Sequence, residues 1–157
     1  MKKLYINFII LTFSAFCFAQ EKKVTLEDIW KNYTFYPEYV QGLKSMNNDT
    51  YYTQIDKDGE KQDLNKYNYR TGNKFSTIAS SEKLGIPIEK YTFSKDEKKI
   101  LFATETENIY RYSSRSIYYI YNLQNKKLTK LSNNKVMHAT FSPDGNKIAY
   151  VKDNNLY

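Results

Sequence analysis

The 157-residue sequence has little cysteine, glycine and histidine: one Cys, five Gly and one His. The cysteine, Cys17, lies in an N-terminal segment that we expect to be removed, which leaves no thiol for a disulfide, a zinc site or a nucleophile. No glycine pair has the G-x-S-x-G spacing, and no phosphate-binding loop is present. His138 stands alone beside an apolar strand, where a structural role is more common than catalysis. We therefore predict no catalytic residue, no metal and no cofactor in this chain.

The charge is also not concentrated in one block. The formal net charge is +7, but the lysines are scattered among acidic residues. A nucleic-acid-binding surface needs a gathered basic patch, so no nucleic-acid partner is expected. We interpret the small group Lys126, Lys127 and Lys130 as residues that keep a hairpin edge soluble, in preference to phosphate ligands.

Aromatic residues, by contrast, are abundant: 16 Tyr, nine Phe and one Trp. These residues favour half-buried, pleated strands over helices or linkers. The 41% hydrophobic and 26% charged residues are typical of a globular protein. The length of 157 residues suits at most one domain. The composition thus predicts an all-β fold.

The N-terminus has the layout of a signal peptide. Two lysines precede a mostly apolar run over residues 4–18, and the small Ala19 ends it. We predict cleavage after Ala19, so that residues 1–19 are the signal peptide and the mature protein is exported to the periplasm or the cell surface. A lipoprotein anchored at Cys17 is disfavoured by the bulky Phe16, and the run is too short for a stable membrane anchor. The domain is expected to occupy residues 20–157.

A short helix is predicted directly after this segment. Thr25 is a suitable N-cap, and Asp28 stands three residues later, as in a capping box. Leu26, Ile29 and Trp30 would share one face of that helix.

The rest of the chain contains a repeat. Residues 91–104 read YTFSKDEKKILFAT and residues 139–152 read ATFSPDGNKIAYVK. Phe93 corresponds to Phe141 and Ser94 to Ser142, so the offset is 141 − 93 = 48 residues. This period is typical of a β-propeller blade. Ser142 is interpreted as a turn residue.

Each repeat is predicted to contain four strands. In the last copy, the turn at Pro143-Asp144-Gly145 separates two strands, and another reversal follows at residues 153–155. Between the copies, strands are predicted at residues 116–123 and 127–131. A weaker upstream copy begins near Gly42, with a turn at residues 47–49.

The predicted architecture is therefore an incomplete β-propeller of about two blades and the start of a third, after a short N-terminal helix. Propellers close a ring of about four to eight blades, and this length cannot close one. We expect the sequence to be the front of a longer protein.

One segment stands out as a candidate binding site. Residues 108–116 read NIYRYSSRS, which places arginines among tyrosines and serines in a connection between strands. Arg111 is the candidate ligand residue, because a guanidinium offers several directed donors to a carbonyl or carboxylate. The alternative is a surface arginine stacked on Tyr110 or Tyr112. Nearby, Glu105 and Glu107 are expected to be solvated or paired.

These segments resemble a known family. The run LFATETENIYRYSSRSIYYIYNL at residues 101–123, followed by ATFSPDGNKIAYVKDNNLY, is similar to the N-terminal propeller of dipeptidyl peptidase IV, in the prolyl oligopeptidase family of serine peptidases. The opening TLEDI at residues 25–29 extends the resemblance upstream. The Tyr-Arg-Tyr-Ser segment is its most specific part, since F-S-P-D-G turns occur in many exported propellers.

The resemblance implies an eight-bladed propeller above an α/β-hydrolase domain that removes dipeptides from peptide N-termini, with Pro or Ala second. Arg111 would correspond to the propeller arginine that binds a substrate carbonyl near the free N-terminus. The glutamate pair that holds the substrate amine and the Ser-Asp-His triad would lie beyond Tyr157, so this chain alone is expected to be inactive.

A second function remains open from the residues. The chain could belong to a non-enzymatic exported propeller that serves as a binding or scaffold module. The expected partners are peptide substrates of the full-length protein, and the sequence does not decide whether that protein is a homodimer.

Overall fold

The computed structural model describes residues 23–37 and 42–157, in two units that are treated separately. The first unit contains helix α1 (Leu26–Trp30). The Thr25 hydroxyl accepts a hydrogen bond from the Asp28 amide at 3.2 Å, and the Asp28 carboxylate accepts one from the Thr25 amide at 3.1 Å. This reciprocal pair is a capping box, so the predicted helix and its N-cap are confirmed. The predicted signal peptide lies outside the described residues.

The second unit is built from antiparallel strands in chain order. The first sheet contains β1 (Lys44–Ser45), β2 (Tyr51–Asp58), β3 (Lys61–Asn68) and β4 (Lys74–Ser80) as a meander. A short helix, α2 (Ser81–Leu84), follows it. The second sheet contains β5 (Lys90–Phe93), β6 (Lys99–Tyr110), β7 (Ser113–Asn122), β8 (Leu128–Lys130), β9 (Val136–Phe141), β10 (Ile148–Lys152) and β11 (Asn155–Leu156). The predicted all-β class is confirmed.

The strand pairing repeats with the period found in the sequence. Lys44 pairs with Thr53, and the pairs Thr92–Leu101 and Thr140–Ala149 each follow 48 positions after the previous one. β1–β4 and β5–β8 are thus two blades, and β9–β11 begin a third. The incomplete propeller predicted from the sequence is therefore the observed architecture.

The repeated turns are built by the same side-chain contacts. The Ser94 hydroxyl accepts from the Lys99 amide at 3.0 Å and donates to the Asp96 carboxylate at 2.6 Å. The Ser142 hydroxyl accepts from the Lys147 amide at 2.9 Å and donates to the Asp144 carboxylate. Such local bonds stabilise a tight reversal between strands. The interpretation of Ser142 as a turn residue is confirmed.

The strands of the third blade do not form a sheet of their own, because they are paired with the second blade. β9 pairs with the beginning of β7, where Arg115 faces Met137 and Ser116 faces Val136. β8 has only three residues and pairs with Tyr119–Tyr121 of β7, so it leaves the start of that strand open. β9 completes this edge, which joins the second and third blades into one seven-stranded sheet. The sequence repeat did not predict this pairing.

The hydrophobic core lies between the first two blades. The buried cluster contains Ile55, Leu64, Ala79, Ile86, Ile88, Tyr91, Ile100, Phe102 and Tyr121. Members come from β2, β3 and β4 of the first blade and from β5, β6 and β7 of the second. Each blade therefore removes the apolar face of its neighbour from water, which is how stacked repeats gain stability.

Tyr91 makes the polar link inside this core. Its side chain is 2% exposed, and its hydroxyl lies 2.7 Å from the Thr53 hydroxyl and donates to the Gly42 carbonyl. The Lys44 ammonium group donates a hydrogen bond to the Tyr91 carbonyl. Burial raises the pKa of Tyr91 to about 12, so the phenol is neutral and remains a donor at physiological pH.

We expect Tyr91→Phe to lower the free energy of unfolding by about 1–3 kcal/mol, because the Gly42 carbonyl and the Thr53 hydroxyl each lose their hydrogen bond to the Tyr91 hydroxyl. Urea denaturation measures the loss. Tyr110→Phe is the matched control, since Tyr110 is 79% exposed, and it should change stability by less than about 0.5 kcal/mol. Equal effects of the two substitutions would contradict the assigned role of Tyr91.

Candidate functional site

The strand pair that carries the candidate arginine is longer than its counterpart in the first blade. β6 has 12 residues and β7 has 10, whereas β2 and β3 have eight each. The additional length extends the hairpin beyond the Thr104–Ile117 pair. We call residues 105–116 the arm. Its tip is the two-residue turn Arg111-Tyr112.

The arm begins at a β-bulge. Thr104 faces Ile117 and Glu107 faces Arg115, so β6 has one more residue than β7 between these two pairs. Glu105 takes up this difference with a left-handed backbone, at φ 51°. A bulge increases the local twist and bends the strand that contains it. The bulge therefore sets the direction in which the arm leaves the sheet.

A carboxylate from the preceding strand connection binds this bulge. The Glu105 amide donates to Glu89 Oε1 at 3.0 Å, and the Thr106 amide donates to Glu89 Oε2 at 3.1 Å. Across the arm, the hydroxyls of Thr106 and Ser116 lie 3.0 Å apart. The base of the arm is thus held on both sides by hydrogen bonds.

The middle of the arm is closed by an ion pair. Arg115 donates from Nε to Glu107 Oε2 at 2.9 Å and from Nη2 to Glu107 Oε1 at 3.0 Å. Lys135, just before β9, places its ammonium group 3.7 Å from the same carboxylate. The Arg115 hydrogen bond lowers the pKa of Glu107, and the same bond raises the pKa of Arg115. The pairing expected for Glu107 is confirmed.

We expect an NMR titration to give Glu107 a pKa below its ordinary value of 4.5, and Arg115→Ala to return it most of the way. Because the pKa is lowered in the folded state, the pair stabilises the arm fully at pH values above the ordinary value of 4.5, and this stabilisation is lost as the pH falls through the lower pKa of the folded state. Lys127→Ala, far from the arm in sequence, is the control. An unchanged Glu107 pKa in Arg115→Ala would show that the pair does not form in solution.

Arg111 lies at the exposed tip of the arm. Its guanidinium carbon is 5.7 Å from the centroid of the Tyr112 ring, and Tyr112 is 88% exposed. A polar depression of about 230 Å³ adjoins the tip and is lined by Lys90, Asn108, Tyr110, Arg111, Tyr112, Ser113 and Ser114. The stacking considered for Arg111 in the sequence is thus present in the structure. A guanidinium that contacts an aromatic ring can still donate hydrogen bonds from its N–H groups to a ligand.

Other sequence-derived candidates do not assemble into a site. His138 is exposed and has a left-handed backbone, at φ 53°, within an irregularity of β9. Within residues 23–37 and 42–157, no group of three or more His, Cys, Asp or Glu side chains is arranged to hold a metal ion. The same part of the chain contains no helix that is long and apolar enough to cross a membrane.

The sequence identified the arm but missed what holds it. Glu89 lies 16 positions before Glu105, outside the segment of residues 108–116 that the sequence analysis selects, and Arg115 lies within that segment without an assigned role. A signal for the ion pair was present, because Glu107 and Arg115 have opposite charges on strands that the hairpin joins. No comparable signal existed for Glu89, since its role depends on the bulge.

Comparison with known proteins shows which protein family and which individual proteins this chain is similar to. Residues 94–157 match the family described as the dipeptidyl peptidase IV (DPP IV) N-terminal region. Prolyl endopeptidase FAP of Homo sapiens is 24% identical over 142 residues, which cover 87% of this chain and 17% of that protein. A probable dipeptidyl peptidase 4 of Aspergillus clavatus is 34% identical over 88 residues, which cover 54% of this chain and 12% of that protein.

Comparison with solved structures also finds a dipeptidyl peptidase among the similar proteins. Dipeptidyl peptidase 4 of Porphyromonas gingivalis superposes with a TM-score of 0.70 and 34% sequence identity, over 87% of this chain and 20% of that one. The family resemblance predicted from the sequence is therefore confirmed. The chain spans a fifth or less of the length of these three relatives.

Proposed function

Because the chain carries an N-terminal region of the dipeptidyl peptidase IV type, we propose that it forms the front of the propeller of an exported serine-type dipeptidyl peptidase. The complete protein removes N-terminal dipeptides of the Xaa-Pro or Xaa-Ala type from peptides. This chain contributes a substrate contact, and the catalytic groups come from other parts of the protein.

The observation that supports this proposal most strongly is the position of Arg111. It lies at the tip of an arm that leaves the sheet through a bulge and is closed by the Glu107–Arg115 ion pair. An arginine at the tip of such a supported hairpin presents several directed N–H donors to a ligand. A peptide carbonyl close to the substrate N-terminus is a suitable acceptor for these donors.

The proposed division of roles follows from the chemistry of peptide cleavage. A serine nucleophile needs a general base and an oxyanion hole within hydrogen-bond reach. The sequence carries a single histidine, His138, which is exposed on β9, and residues 1–157 contain no G-x-S-x-G motif. In our proposal the nucleophile, its base and the acidic residues that bind the substrate amine belong to segments after Tyr157.

The test is hydrolysis of Ala-Pro-p-nitroanilide by the complete protein. We expect release of nitroaniline from the free-amine substrate and no release from the N-acetylated one, because the substrate amine must be bound. Residues 20–157 alone should release none. A complete protein that binds peptides without cleaving them would support the alternative function, a binding or scaffold propeller.

We also propose that the protein is exported after cleavage behind Ala19, which agrees with the charged start and the apolar run of residues 4–18. N-terminal sequencing of the protein from its native host should then begin at Gln20. A start at Met1 would contradict export by this route, and a lipid-modified Cys17 would contradict the assigned cleavage site.

A further inference from the structure

We propose that Glu89 is a positioning residue for Arg111, a role that rests on the proposed function of Arg111 as a substrate contact. Glu89 precedes β5, and its carboxylate binds the bulge from which the arm leaves the sheet. Glu89 does not line the depression at the tip of the arm. It acts on the substrate contact only through the direction of the arm.

Glu89 lies just before the first residue of β5 that pairs with β6. At this position a side chain, and not the backbone, accepts the hydrogen bonds from the next amides of β6. The backbone pairing between β5 and β6 ends at Lys90 and Ala103. Beyond this pair the bulge turns two successive amides, those of Glu105 and Thr106, toward Glu89. The carboxylate replaces the missing strand partner, with one oxygen for each amide.

This contact requires both oxygens to be acceptors. An ionised carboxylate offers two such oxygens, whereas a glutamine side chain offers one oxygen and an NH₂ group that would face an N–H donor. The bonds are also charge-assisted, which makes them stronger than those between neutral groups. Glu89→Gln is therefore a sensitive variant that preserves the size of the side chain.

The contact holds a backbone conformation that would otherwise relax. Glu105 is left-handed, a conformation that non-glycine residues keep only when the surroundings fix it. Without Glu89, the bulge is free to change and the arm direction changes with it. Arg111 lies six residues from Glu105, so a small change at the bulge moves its guanidinium further than the bulge itself. A displacement of about 1 Å in a binding group is enough to reduce kcat/KM by up to about 100-fold.

The test uses the complete protein with the variants Glu89→Ala, Glu89→Gln and Arg111→Ala, and the double variant Glu89→Ala/Arg111→Ala. We expect each Glu89 variant to lower kcat/KM for Ala-Pro-p-nitroanilide by about 10-fold, mainly through KM. In the double variant, Glu89→Ala should have almost no further effect, because its influence passes through Arg111. Glu82→Ala, on the exposed helix α2, is the control and should have wild-type kinetics.

A measurement independent of activity accompanies the kinetics. Hydrogen exchange at the amides of Glu105 and Thr106 should be at least about 10-fold faster in Glu89→Gln, while the Lys99 amide in the Ser94 turn should be unchanged. This readout also covers the case in which Glu89→Ala fails to fold.

The outcomes separate this inference from the function on which it rests. If Arg111→Ala lowers kcat/KM but the Glu89 variants do not, or if the two effects are additive, the positioning role of Glu89 is wrong and the proposed function stands. If Arg111→Ala has wild-type kinetics, Arg111 is not a substrate contact and Glu89 has no positioning role, although cleavage of the substrate would still support the peptidase function. Unchanged exchange at Glu105 and Thr106 in Glu89→Gln would also overturn the inference.

Discussion

Replacing Phe102 by alanine is expected to lower the free energy of unfolding by about 3–5 kcal/mol. Phe102 is 0% exposed and lies in the core that the first two blades share. Its ring contacts that of Tyr121, with 6.3 Å between the centroids. The substitution removes a large apolar side chain from the core between the two blades. It leaves a cavity that the surrounding strands cannot fill without losing their pairing.

The matched control for this prediction is Phe75→Ala. Phe75 is 62% exposed and packs on Tyr51 at the surface of the first blade. Its loss should cost less than about 1 kcal/mol. Phe102→Leu should lie between the two, because leucine keeps most of the buried apolar volume. Chemical denaturation of the complete protein measures all three, and a Phe102→Ala loss no larger than that of Phe75→Ala would show that the blades do not share a core.

Arg111→Ala is expected to lower kcat/KM for an Xaa-Pro substrate by roughly 10–100-fold in the complete protein. The estimate follows from a hydrogen bond between a charged donor and a carbonyl, which contributes about 1.5–3 kcal/mol, where about 1.4 kcal/mol corresponds to a factor of ten. Arg111→Lys should recover only part of the loss, because an ammonium group keeps the charge but not the planar set of donors.

Arg70→Ala provides the control for a general effect of positive charge. Arg70 is an exposed arginine in the turn between β3 and β4 and has no assigned role in binding. It should have wild-type kinetics. If Arg70→Ala and Arg111→Ala reduced kcat/KM equally, the effect of Arg111 would be one of overall charge. If Arg111→Ala changed nothing, the arginine would be only a surface residue stacked on Tyr112.

The blades were predictable because their turns depend on local chemistry. The serine at the start of each turn and the aspartate two residues later bind the nearby backbone, and these contacts are the same at Ser94 and Ser142. Local hydrogen bonds of this kind need no knowledge of the rest of the fold. The helix cap at Thr25 was predictable for the same reason.

The remaining features depend on contacts between distant residues. β9 joins β7 because β8 is short, and nothing in the sequence of β9 indicates that edge. β6 has an extra residue at the Glu105 bulge and a second register shift between Asn108 and Tyr110, and its sequence marks neither position. Glu89 became recognisable as a ligand of the bulge only when the ladder of β5 and β6 was known. Sequence reasoning therefore located Arg111 but not the residues that orient its arm.

The most direct test of the account is to label the native protein with a fluorophosphonate probe, which reacts with activated serine nucleophiles, and to map the labelled peptide by mass spectrometry. We expect one labelled serine within a Gly-x-Ser-x-Gly sequence, in the same polypeptide as residues 20–157 and after Tyr157. A native polypeptide that ends at Tyr157, or a longer one that the probe does not label, would contradict the peptidase function and favour a binding propeller.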